Sequence, residues 1–131
     1  MRSPQPPYSL SVATFPFAAL ASLAGRSPLG GAREVALGCF VASRLATALL
    51  TRTLPTHVRT TRAAAARSWL ASLNLPAPAR AALGKAVEAS GTDNRAAAAA
   101  ALRKVTEVTA TTLDVAARYE LVQLTELLES S

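Results

Sequence analysis

Side chains able to act as nucleophile, base or metal ligand are sparse in this chain, and their spacing does not bring them together. It has one cysteine, Cys39, and one histidine, His57. A thiolate mechanism needs a base beside the sulfur. These two residues fall on different predicted segments, and Cys39 sits in an apolar run where a small buried side chain is the simpler role. A single cysteine also excludes an intramolecular disulfide. Glu120, Glu126 and Glu129 resemble paired carboxylates only in number. Their run has the pattern of an amphipathic helix, on which they form a solvated face. Gly25 and Gly30 have the outer spacing of a phosphate-binding loop, but Gly31 and Ala32 stand where Lys and Ser/Thr are required, and no strand pattern precedes them. No catalytic, metal-ligating or cofactor-binding residue is predicted, and no enzyme.

Positive charge is the stronger chemical signal. The 131 residues carry 14 basic and 8 acidic side chains, a formal net charge of +6. Residues 1–80 hold nine arginines and a single acid, Glu34, whereas residues 81–131 hold five basic and seven acidic side chains. Such a split points to a partner or an address rather than to a reaction. Arg44, Arg52, Arg59, Arg62 and Arg67 are the candidates for facing anionic groups. A helix bearing these arginines suits phosphate or anionic lipid, but base recognition also wants Asn or Gln at a helix start, or exposed aromatics for stacking. The expected arrangement is a solvated arginine face, or arginines paired with the acidic back half. The arginines alone do not point to nucleic acid as the partner.

These side chains must be positioned by helices. Half of the residues are hydrophobic, yet 30 of the 131 are alanine and only 5% are aromatic. Alanine buries little area, and burial yields only ~25 cal/mol per Å². The expected fold is all-α, four to six helices without a sheet, in one unit over residues 1–131. Residues 1–25 are an apolar, acid-free segment that fits a signal peptide (Arg2, then Ala19-Leu20-Ala21), a transit peptide or a retained helix; the last is favoured. A breaker comes next, with Ser27-Pro28 suited to cap the following helix. Residues 27–73 form basic apolar helices. The segment 33–52 is the most hydrophobic, and Arg44 interrupts it short of the ~20 apolar residues a membrane span wants. Pro55 opens a helix to about residue 73, with Trp69 as a core anchor. Residues 76–131 form alanine-rich amphipathic helices, divided at the turn 90–94 by Gly91, with Thr92 or Asp93 capping the second of them.

From there to residue 129 there is neither Gly nor Pro. Either the helix breaks at residues 109–112, where Thr111 and Asp114 fit a capping box, or it runs on to reach a partner; one long helix, kinked at these threonines, is favoured, and Asp114 can pair with Arg118 on it. On a single helical wheel it carries two apolar stripes, Leu113, Leu121, Leu124 and Leu128 on one, Val108, Val115 and Val122 on the other. At about 1.5 Å per residue such a helix overhangs a chain this small, and both stripes are expected to bind a partner helix. The functional expectation is therefore a non-catalytic helical interaction protein, an accessory or structural subunit of a larger assembly. Its partners would be other subunits, or self-association through the C-terminal helix, with a membrane surface or span over residues 11–50. Membrane association, organellar included, is favoured over the cytoplasm. The alternative is a small basic module binding nucleic acid through the Arg52 to Arg67 cluster.

Overall fold

A computed structural model describes residues 32–130 apart from Asp114. The expectations for residues 1–31, and those resting on Asp114, lie outside the described residues. Five helices make up the fold: α1 (Ala32–Thr51), α2 (Thr56–Ala71), α3 (Ala77–Ser90), α4 (Arg95–Val108) and α5 (Val115–Ser130). The protein is all-helical, with no strand among the described residues.

The apolar composition of α1 decides the architecture. A helix with large apolar or small side chains nearly all round cannot leave a face in water, so the other elements wrap it. Residues 35–49 of α1 are buried with the sole exception of the partly buried Leu37. α1 touches each of the other four helices, and the broadest contacts are α3 with α4 and α4 with α5. Val35, Cys39, Leu45 and Leu49 meet Leu83 and Val87 of α3, Leu102 and Val105 of α4, and Leu121, Leu124 and Leu128 of α5 in one core. Alanine supplies the close packing: Ala79, Ala82 and Ala86 on α3 and Ala98 and Ala99 on α4 are all buried. Their short side chains let neighbouring backbones approach where bulk would hold them apart.

Helix ends obey local chemistry. α1 stops at Arg52, a non-glycine residue in the left-handed region at φ 56°, and the Thr53 amide donates to the Ala48 carbonyl at 3.3 Å, closing the last turn. Pro55 and Pro76 precede α2 and α3, where a missing N–H costs nothing. α4 is capped by Asn94, whose side chain accepts from the Ala97 amide at 2.9 Å, one residue beyond the expected Thr92 or Asp93. Gly91 ends α3 as expected. A Cβ there would stand 2.6 Å from the Ala63 Cβ, so glycine is what allows this corner to close on α2.

The C-terminal region departs from the sequence expectation. In place of one long helix there are two, separated by a turn at residues 109–113. The Thr109 hydroxyl donates to the Val105 carbonyl at 2.6 Å, while the Thr112 and Leu113 amides both donate to the Thr109 carbonyl at 3.0 Å. The chain then reverses and α5 packs along α4 as a helical hairpin. Two physical causes favour the break. Three threonines in four residues have low helix propensity, and folding back buries Leu113, Leu121, Leu124 and Leu128 inside the protein's own core. These leucines, expected to meet a partner helix, face the interior instead.

Candidate functional site

The reactive side chains remain apart in the fold. Cys39 is wholly buried in α1, and burial pushes its thiol up to about 12, which leaves it without thiolate character. His57 is exposed on α2, and no group of His, Cys, Asp or Glu among the described residues could hold a metal ion. Glu126 is exposed, Glu120 is half-buried, and Glu129 binds the Arg103 guanidinium across the α4–α5 hairpin. That hydrogen bond, with the attraction behind it, holds Arg103 above its ordinary range. A groove of about 610 Å³ beside it is lined by Arg95, Ala96, Ala100, Arg103, Lys104 and Glu129 among others. Its charges are used locally: Arg95 donates to the Leu50 carbonyl at 3.0 Å and Lys104 lies 3.7 Å from Glu107. Nothing in it converges on a bound group.

The arginine cluster is divided between interior and surface. Arg59 is not a surface residue at all: it is 1% exposed. Its guanidinium donates to Asp93 at 2.5 Å, to the Thr92 carbonyl at 3.0 Å and to the Thr56 hydroxyl at 3.2 Å. Arg52 reaches the same carboxylate at 3.2 Å and Thr56 donates to it at 3.0 Å. The hydrogen bond from Arg59, then that from Thr56, holds the Asp93 carboxyl below its usual range. Thr60 donates to the Gly91 carbonyl at 3.1 Å. Together these bonds fasten the turn before α4 to the start of α2. Arg67 pairs with Glu88 of α3 at 3.3 Å, and Arg62 is half-buried. Three of the front arginines, Arg52, Arg59 and Arg67, are thus paired with Asp93 and Glu88 of the acidic back.

Arg44 is the second departure. It is 6% exposed, forms no ion pair among the described residues, and sits with its guanidinium carbon 6.0 Å from the centre of the Phe40 ring. Burial lowers its pKa from the ordinary value. Its Nε, the Ser43 hydroxyl and the Thr47 hydroxyl are buried without a hydrogen-bond partner among the described residues. Ring contact offsets only part of the cost of such a group, by about 0.5–2 kcal/mol.

What the fold leaves uncovered is the outer face of α5. Val115 is 79% exposed, Tyr119 60% and Val122 37%. Their spacing i, i+4, i+7 puts them on one stripe, opposite the buried Ala117, Leu121, Leu124 and Leu128. Gln123 donates to the Tyr119 hydroxyl at 3.1 Å and so holds the ring along the helix. Beside the stripe runs a groove of about 220 Å³ between α4 and α5, lined by Arg103, Thr106, Glu107, Arg118, Val122, Thr125 and Glu126. Of the seven partner-binding candidates, Val115 and Val122 are thus exposed and the four leucines are core. Val108 is only partly buried and packs against the core. Tyr119 and the further exposed Leu127 at 47% were not singled out as partner-binding, although Tyr119 falls on the same wheel stripe as Val115 and Val122.

α1 has the length and apolarity to cross a membrane over Arg33–Thr51, yet most of that stretch is buried by the protein's own helices. A core helix of a soluble protein has the same properties. No family model, curated protein or solved structure matches the chain. The class defined by fold and surface is a small all-α bundle with an apolar stripe on its last helix.

Proposed function

We propose that this protein is a non-catalytic helical interaction protein, an accessory or structural subunit that docks on its assembly through the outer face of α5. The observation that carries this reading is the stripe of Val115, Tyr119 and Val122, left in water on a helix whose opposite face already fills the core. Isolated exposed apolar residues are ordinary. Three in helical register beside a groove match the way one amphipathic helix receives another. The assembly can lie at a membrane, since α1 and the basic excess are compatible with one, but the stripe itself asks for a protein surface.

The alternative, a basic module for nucleic acid, is less well supported because Arg52, Arg59 and Arg67 already engage carboxylates of the same chain. The test is capture of native complexes by the full chain and by Val122→Glu, identified by mass spectrometry. The expected result is a defined set of co-purifying proteins that Val122→Glu loses while its thermal unfolding stays that of the wild type. An identical set with both chains would refute the reading.

A further inference from the structure

Charge along the outer face of α5 is arranged in a way that selects one occupant. Val122 lies midway between Arg118 and Glu126, four residues from each. Both charged residues line the groove that Val122 enters, and neither forms an ion pair among the described residues. Arg118 keeps a buried Nε without a hydrogen-bond partner among the described residues. A stripe that reads basic, apolar, acidic is the complement of itself when reversed. Turned about a two-fold axis at Val122, Arg118 of one copy stands against Glu126 of the other, and Glu126 against Arg118, with Val122 on Val122 at the centre. This is the self-complementarity that an isologous contact requires. The reversed direction also sets the two helix dipoles head to tail, which is favourable.

We propose that a second copy of this chain docks on α5, the two helices antiparallel about Val122. The proposal rests on the reading of α5 as the interaction surface and names its partner. In each copy Tyr119 and Val115 continue the apolar strip on the N-terminal side of the axis, so the two-fold places one such extension at either end of the pair, over the partner's α5 toward residues 125 and 129, and the α4 rim at Arg103 and Thr106 walls it. The helix is about 24 Å long, so one helix-wide strip on each copy falls short of the ~800 Å² per partner in standard interfaces. Association is therefore weak, with a dissociation constant of about 10 µM or more.

Sedimentation equilibrium of the full chain, carried to several hundred micromolar, tests this. The wild type is expected to form a dimer as concentration rises. Arg118→Glu sets like charges opposite each other twice per dimer and weakens association by about tenfold or more. Arg118→Glu combined with Glu126→Arg restores opposite charges and returns it to within about threefold of the wild type. Val122→Glu, which places two carboxylates at the axis, abolishes it. Because Arg118 is half-buried, each variant is first matched to the wild type by circular dichroism, and Val122→Glu serves alone if the charge variants do not fold. A wild type that stays monomeric at every concentration overturns the second-copy assignment. So does a dimer unmoved by Val122→Glu, or one that Arg118→Glu weakens and the exchanged pair fails to restore. A monomer that still captures other proteins in a Val122-dependent way leaves the interaction surface standing with a different occupant; a monomer that captures none removes both.

Discussion

Arg44 and Arg59 occupy similar positions of burial and opposite electrostatic situations. Arg59 has a carboxylate, a carbonyl and a hydroxyl around it, whereas Arg44 has the face of Phe40 and no ion pair among the described residues. A buried charge without a partner costs several kcal/mol, and an apolar side chain of similar length removes that cost. Arg44→Met is expected to raise stability by about 1–3 kcal/mol, read by urea denaturation; a loss of that size would mean that the guanidinium is held by something it binds. The Asp93 hub makes a prediction of opposite kind. Its carboxyl pKa is depressed, first by the hydrogen bond from Arg59. The resulting stability is complete above the ordinary carboxylate range and is lost as pH falls through the depressed value. The advantage of the wild type over Asp93→Asn should stay constant from neutral pH to about pH 5 and shrink below it. An advantage that instead grows on acidification contradicts the assignment.

Among the elements, what was legible in sequence and what was not divides cleanly. The Pro and Gly punctuation placed α1, α2 and α3 to within a few residues, because Pro55, Pro76 and Gly91 act through local backbone geometry that a sequence displays directly. The turn at residues 109–113 has no such residue. Its threonines weaken a helix and a capping-box pattern at residues 111–114 allows a restart, but the decision between a kink and a break falls to burial gained by folding α5 back on α4, which no local pattern displays. The break also resets the helical phase. Val105 is buried on α4 while Val115 is exposed on α5, although one wheel drawn through both puts them on a common stripe. That is why a single wheel presents the leucine stripe as a partner surface and the valine stripe holds only half of one. The burial of Arg59 was invisible for a related reason: the acid that receives it, Asp93, is 34 residues away. A local prediction tests the corner that these contacts build. Gly91→Ala brings a methyl to 2.6 Å from the Ala63 Cβ, and with backbone on both sides the strain should cost about 1–3 kcal/mol, seen as a lower urea midpoint at unchanged slope. No change in midpoint would show that α2 and α3 are further apart than described.

For the whole molecule, the alanine-rich composition does not leave the core open. Small side chains on α3 and α4 allow close approach, and α1 supplies the bulk that they lack. The front-to-back charge asymmetry, which in sequence suggested an external anion, is partly consumed at Asp93 and Glu88. What remains outward is the α5 stripe, and the proposed function stands on it as the place of contact. The decisive measurement is site-specific photo-crosslinking of the full-length chain in its native cells, with a benzophenone side chain at Val122 or, as a control, at the exposed Ala81 on α3. A discrete protein adduct, a second copy or another subunit, is expected from position 122 and none from position 81. Equal labelling from both positions, or no adduct from 122, would show that α5 is not the contact surface.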